Sequence, residues 1–205
     1  IQINYLGFTS TLGTKCHDYV IGDPTVIPVD TRQYYTEKVV YLPCVMPFDT
    51  THDLSHFKCS RSEAGLPAEG FIFCSFNQHF KINPETYDVW MNILKRVPGS
   101  YLWISQPYEP EAIPNLKKEA IKRGVDPERI IFANRIRAVE QHLARIAVAD
   151  LFLDTFPYNA HTSAIDTLWA GVPIVTRMGR SFASRLAGSL LKSVGLDKLL
   201  THDFK

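Results

Sequence analysis

From Gly70 onward, short apolar runs alternate with amphipathic stretches, and this alternation limits the possible folds more than any other feature of the sequence. Residues 71–76 (Phe-Ile-Phe-Cys-Ser-Phe) are apolar on both faces, as a strand is when helices cover both sides of a parallel sheet. A helix is predicted at once after it. Asn83 suits the N-cap, Pro84 the first helical position and Glu85 the positive helix end. Tyr87, Trp90, Ile93, Leu94 and Val97 make one apolar face, which Pro98-Gly99 ends. Further strands are predicted at 100–104, 129–133, 151–154 and 173–176. The helices between them fall at 115–123, 139–147 and 162–170, and a last helix runs over 181–194. Parallel neighbours need a crossover that is normally helical, so these five strands imply an α/β chain with a doubly wound, Rossmann-like parallel sheet.

The first seventy residues differ. Two isolated strands are predicted at 19–21 and 38–42, followed by a polar, turn-rich stretch. A structureless run of that length inside one compact domain is unusual, so it reads as a connection. The expected division is 1–45 as the end of one lobe, 46–69 as the connection and 70–205 as a second lobe, incomplete at its C-terminus. The opening Ile1-Gln2-Ile3-Asn4 reads as the cut edge of a longer protein.

Composition narrows the function classes. A chain that is 45% hydrophobic and 12% aromatic can bury a core, which excludes disorder. With 22 basic against 21 acidic side chains, the net charge of +1 speaks against nucleic acid or an anionic membrane as a partner. Cys16, Cys44, Cys59 and Cys74 form no Cys-x-x-Cys pair, so no metal site or disulfide framework is expected, and free thiols fit a cytoplasmic chain.

In an open parallel sheet, ligands bind at the carboxyl ends of the strands. After the first strand comes Asn77-Gln78-His79-Phe80-Lys81, where Lys81 can reach an anion over the sheet edge or simply be solvated. After the fourth, the loop from Asp154 runs through His161 into a helix opened by Thr162 and Ser163. Amides, hydroxyls and the helix dipole converge there, which suits an anion, although either residue also serves as an ordinary N-cap. Asp166, one turn on, is placed to accept bonds from ribose hydroxyls. His142 and Arg145 lie three apart on one helix face, where a ring can stack on a base and a guanidinium bond its edge; surface decoration is the alternative. The loop 179–185 reads as a capped helix start. There is no Gly-x-Gly-x-x-Gly, phosphate-loop Gly-Lys-Ser/Thr, Gly-x-Ser-x-Gly or His-Glu-x-x-His motif.

Taken together, several segments resemble the protein O-linked N-acetylglucosaminyltransferases, with their bacterial relatives and the plant SPINDLY proteins. Residues 1–7 with Thr11, Gly13, Asp18-Tyr19 and 35–43 are similar to the end of that family's first catalytic lobe. Residues 76–82, 90–98, 153–155, 159–163 and 166–173 are similar to its second lobe. The resemblance implies the C-terminal, donor-binding lobe of a GT-B glycosyltransferase. The implied reaction is an inverting, metal-independent transfer of N-acetylglucosamine from UDP-GlcNAc to Ser or Thr hydroxyls of a protein acceptor. Matched motif to motif, Gln78 and Lys81 contact the diphosphate, with Lys81 in the catalytic role of stabilising the leaving group. Thr162 and Ser163 add hydroxyl and amide donors, and Asp166 holds the ribose. His142 and Arg145 face the uracil, His161 lies near the diphosphate and sugar, and Leu6 and Gly7 touch the sugar from across the cleft. The missing partners implied are the rest of the first lobe and tetratricopeptide repeats.

Some features depart from the animal enzymes. The connection between the lobes is short, as in bacterial members, and Tyr158 stands where those enzymes carry a smaller cysteine beside the acetamide pocket. The run Asp154–Tyr158 is shared with SPINDLY proteins, which transfer fucose from a guanine nucleotide; they lack the His161-Thr162 pair and carry glutamate in the place of Asp166. A GDP-fucose-dependent O-fucosyltransferase is therefore one alternative. A nucleotide-sugar-binding module without turnover and a nucleotide-sugar epimerase of the same architecture are the others.

Overall fold

The computed structural model describes residues 1–47, 51 and 56–204. Part of the expected connection at 46–69 therefore lies outside the described residues. The chain opens with three short strands, β1 (Ile3–Asn4), β2 (Tyr19–Gly22) and β3 (Lys38–Tyr41), which pair in that order as a small parallel sheet. Six more strands form the main sheet: β4 (Phe71–Ser75), β5 (Ser100–Ser105), β6 (Ile130–Ala133), β7 (Leu151–Leu153), β8 (Ile174–Arg177) and β9 (Leu200–Thr201). The helices are α1 (Pro84–Arg96), α2 (Ala112–Lys122), α3 (Val139–Ile146), α4 (Thr162–Trp169) and α5 (Leu186–Ser193).

The main sheet runs β6-β5-β4-β7-β8-β9, parallel throughout. Strand side chains alternate between two faces, and both faces are covered. Ile72, Cys74 and Trp103 point into one core with Ile146, Ala164, Leu186 and Leu190 from α3, α4 and α5. Phe73, Leu102 and Ile104 point into the other, against Tyr87, Trp90, Met91 and Leu94 of α1 and Ala120 of α2. Each such large side chain, fully buried, contributes about 1.5–3 kcal/mol, which is why the strands read as continuous apolar runs.

Local signals behave as their chemistry demands. The Asn83 side chain accepts the Thr86 amide at 2.8 Å to cap α1, and Gly99 sits at φ +72° in the turn that follows. Helix α2 begins three residues earlier than the sequence suggests, because Pro114 falls in the first turn, where its missing N–H has no partner to lose. The expected helix over 181–194 is broken. Ser181 and Ser184 cap one another reciprocally around a 3-10 turn, Phe182–Ser184, and α5 starts afresh at Leu186. The sequence reading also missed β1 and β9, two-residue strands too short to show a period.

The N-terminal sheet packs onto the main body. Val20, Val26, Ile27 and Val45 share one apolar cluster with Ile72 and Leu190. The buried Asp23 carboxylate accepts bonds from the amides of Thr25, Val26 and Val45 and from the Ser189 hydroxyl of α5 at 2.6 Å. Described residues of the connection are anchored too: Arg61 donates to the Gly70 carbonyl and pairs with Asp150 at 2.9 Å, and Leu66 is buried.

Candidate functional site

Chain order reverses at the centre of the main sheet: β5 and β6 lie to one side of β4, and β7, β8 and β9 to the other. Connections leave β4 and β7 in opposite directions, so a crevice opens between their carboxyl ends. A cleft of about 380 Å³ lies there, walled by the segment after β4 and the loop entering α4. Gln78, Lys81, His142, Tyr158, His161, Thr162, Ser163 and Asp166 all line it, joined by Phe76, Asn77 and Phe80. A larger cavity of 460 Å³ gathers Arg180 and Arg185 against Asp30 and holds none of these residues.

Helix α4 points its N-terminus at the cleft. Its N-cap position is His161, with no side-chain capping bond, so neither Thr162 nor Ser163 acts as the N-cap. The first amides of a helix have no intrahelical acceptor and carry the positive end of the dipole, so this wall has chemistry that suits an anion without needing net charge. Lys81 faces this wall from the 3-10 turn His79–Lys81. Its Nζ donates to the Asn159 carbonyl at 3.0 Å and lies 4.2 Å from the centre of the Tyr158 ring. Burial pushes the Lys81 pKa down to about 8, against the opposing pull of the Asp154 charge.

The two histidines are neutral at pH 7. His161 is lowered to about 4 by burial first and the Lys81 charge second, while a hydrogen bond to the Ala183 backbone acts in the other direction. Its ring stacks on Tyr158, with centroids 4.8 Å apart, and its enclosed Nε2 has no partner among the described residues. His142 is likewise pushed down to about 4, by burial and then by Arg145. The Arg145 Nε–H donates to His142 Nδ1 at 3.1 Å, which leaves the other ring nitrogen to carry the proton. Phe76 meets the same ring edge-on at 5.5 Å.

Three of the expected residues stand outside this lining. Arg145 borders the neighbouring pocket with Asn134 and Ile136, and its guanidinium donates to the Asn134 carbonyl as well as to the His142 imidazole. Leu6 and Gly7 do not line it either. After β1, the buried Asn4 amide donates to the Phe8 and Ser10 carbonyls and folds the following residues into a tight turn, with Leu6 at φ +57°. Leu6 then packs on the apolar cluster and Gly7 donates back to the Tyr5 carbonyl.

Two residues that the sequence reading did not single out organise this wall. Asp154 accepts the amides of Thr155 and Ala160, both at 2.7 Å, and the Thr176 hydroxyl at 2.6 Å. The Asn77 side-chain amide links Asp154 and Thr155 to the Ser163 hydroxyl. Their signal in the sequence is position: each is a polar residue at or next to the end of an apolar strand, on the two strands that flank the switch point.

Known proteins share this chain's sequence and fold. Residues 50–205 match the model of glycosyl transferase family 41. The chain is 40% identical over 202 residues to the probable UDP-N-acetylglucosamine–peptide N-acetylglucosaminyltransferase SEC of Arabidopsis thaliana, covering 96% of this chain and 20% of that protein. It is 44% identical over 142 residues to the UDP-N-acetylglucosamine–peptide N-acetylglucosaminyltransferase of Caenorhabditis elegans, covering 69% of this chain and 12% of that one. A solved structure of a mutant O-GlcNAc transferase from Thermobaculum terrenum superposes with a TM-score of 0.87 at 31% identity, over all of this chain and 38% of the other. Sucrose-phosphate synthase of Thermosynechococcus elongatus, at 15% identity and a TM-score of 0.55 over 89% of this chain and 50% of its own, shares the fold alone. The architecture is that of GT-B glycosyltransferases, and the chain spans about a fifth of the length of the Arabidopsis relative. On sequence and fold together, the chain belongs to glycosyl transferase family 41.

Proposed function

We propose that residues 70–205 are the donor-binding lobe of a protein O-glycosyltransferase and that the cleft at the switch point holds UDP-GlcNAc. The observation that carries this reading is the uncapped start of α4 facing Lys81 across one cleft, with His142 and Asp166 on the same walls. The amides of Thr162 and Ser163 and the Lys81 ammonium take the diphosphate, assisted by Gln78. Asp166 takes the ribose hydroxyls, the His142 ring takes the base, and His161 and Tyr158 lie where the diphosphate meets the sugar. The relatives named above as N-acetylglucosaminyltransferases support the sugar and the protein acceptor.

The chemistry follows from charge. As the bond from the anomeric carbon to the diphosphate oxygen breaks, the leaving nucleoside diphosphate gains negative charge, and the acceptor hydroxyl attacks from the opposite face with inversion. Fixed donors aimed at that charge stabilise the transition state more than the ground state. In this account Lys81 and the helix start meet the charge without a metal ion. An arriving diphosphate also raises the depressed Lys81 pKa and holds the amine cationic. Residues 1–45 belong, in this reading, to the end of the first lobe, and the general base comes from outside this chain, which works in the cytoplasm with tetratricopeptide repeats selecting the acceptor.

A second reading rests on one observation. The run from Asp154 to Tyr158, shared with SPINDLY proteins, sets the Tyr158 ring against both Lys81 and His161. A guanine-nucleotide fucose donor is therefore tested beside the first. The experiment is transfer of labelled sugar to Ser/Thr peptides by the intact two-lobed enzyme in the presence of a chelator, with UDP-GlcNAc and GDP-fucose in parallel. Transfer from UDP-GlcNAc alone is expected. Transfer from GDP-fucose alone moves the protein to the second reading, and transfer from neither contradicts both.

A further inference from the structure

The Ser163 hydroxyl stands at the anion wall, yet its single hydrogen is already committed, and the commitment traces back to a buried carboxylate. Asp154 receives bonds from two amides, from the Thr176 hydroxyl and from Asn77 Nδ2 at 3.1 Å. An ionised carboxylate only accepts, so the atom of Asn77 facing it must be the amide nitrogen. Thr155 gives the same answer independently. Its hydroxyl hydrogen goes to the Tyr158 carbonyl at 2.7 Å, so toward Asn77 Nδ2, 2.9 Å away, its oxygen only accepts. With Nδ2 fixed by two acceptors, Asn77 Oδ1 is turned to Ser163 Oγ at 2.7 Å, and the serine has to donate.

We propose that Asn77 is a positioning residue for the diphosphate: it ties the start of α4 to the end of β4 and sets the Ser163 hydroxyl so that residue 163 offers the anion its backbone amide and not its O–H. This rests on the donor-binding reading of the cleft. It also changes the expected role of Ser163, from a hydroxyl donor to an amide donor. If the hydroxyl swung toward a phosphate, Asn77 Oδ1 would lose its partner in a residue only 3% exposed, and a buried acceptor without a donor is costly. The directionality is set by Asp154, whose carboxyl burial pushes up to about 6 and which is therefore ionised at neutral pH.

The test has one arm without ligand and one with it. In the first, the Asp154 carboxyl is titrated by carbon NMR in the wild-type chain and in Asn77→Leu. Loss of a donor to the carboxylate is expected to raise the Asp154 pKa, and an unchanged value overturns the link. In the second, UDP and uridine affinities are compared. Asn77→Leu is expected to weaken UDP by about ten-fold or more while uridine holds, because only the diphosphate meets the start of α4. Equal loss for both ligands means a merely structural residue and overturns the proposal. Adding Ser163→Ala to Asn77→Leu is expected to cost nothing further, since the bond is already gone; additive losses contradict it. Should Asn77→Leu fail to fold, Asn77→Ala takes its place, and proton–nitrogen NMR of the wild-type chain decides independently. The Ser163 amide resonance is expected to move with UDP and not with uridine; an amide that UDP leaves unmoved overturns the proposal. Failure of the wild-type chain to bind UDP counts against the donor reading and the diphosphate half of this proposal, while the carboxyl titration still decides whether Asn77 and Asp154 act together.

Discussion

At the scale of single residues, Lys81 carries the most chemistry. A half-buried amine with a pKa of about 8 is cationic below that pH and neutral above it, so UDP affinity is predicted to fall as pH rises through 8. A titration series across that range checks the sign, and Lys81→Ala is predicted to remove the pH step. In the intact two-lobed enzyme the same substitution is predicted to lower kcat by about 100- to 1000-fold, the usual cost of losing one preorganised transition-state donor. Near-normal turnover removes Lys81 from the mechanism. Arg145 acts one step back from the cleft. It helps hold the His142 pKa near 4, so Arg145→Met is predicted to raise that pKa, by an amount that proton NMR of the imidazole measures directly. The residues legible in advance were those whose chemistry needs an open cleft: Lys81, His161, Thr162 and Asp166 all line it. The i, i+3 spacing puts His142 and Arg145 on one helix face but does not say that the first lines the cleft and the second the neighbouring pocket. The turn that holds Leu6 and Gly7 is set by the Asn4 amide, through side-chain bonds four and six residues ahead that no period or motif marks.

At the scale of elements, caps and breakers were readable because their chemistry is local. Asn83 caps α1 and also donates to the Phe156 carbonyl at 2.6 Å, so one side chain joins the helix start to the loop that carries Tyr158. Asn83→Ala is predicted to destabilise the chain by about 0.5–2 kcal/mol for the cap alone, read as a lower midpoint in urea with an unchanged slope. What was not readable has a common cause. Strands β1 and β9 are two residues long, below one full alternation, and exist only because a neighbouring strand offers a ladder edge. The break between Ser184 and Leu186 depends on a reciprocal pair of serine hydroxyls that a continuous apolar face concealed. Helix α4 is the converse case, a start with serine and threonine available whose first turn nevertheless carries no side-chain cap. Helices α2, α3 and α5 also begin without a side-chain cap, so what sets α4 apart is that its start lines the cleft that Lys81 also lines.

At the scale of the whole molecule, the order β6-β5-β4-β7-β8-β9 does what no single motif can: it brings the segment after β4 and the loop after β7 to one crevice, although 78 positions separate Lys81 from Asn159. The two sheets are also joined through Asp23, which is 1% exposed and bonded to both the Val45 amide and the Ser189 hydroxyl. Asp23→Ala strands several buried donors at about 1–3 kcal/mol each, so a loss of about 3 kcal/mol or more is predicted, with tryptophan fluorescence and far-ultraviolet dichroism still unfolding together. Separate transitions for the two signals contradict the shared core. The central claim, that this chain presents a nucleotide-diphosphate site at its topological switch point, is tested most directly by calorimetric titration of the chain with UDP and GDP, beside Asp166→Ala and Lys81→Ala. Selective UDP binding that both substitutions weaken is the predicted result. UDP binding that neither substitution weakens, or no nucleotide binding at all, contradicts it.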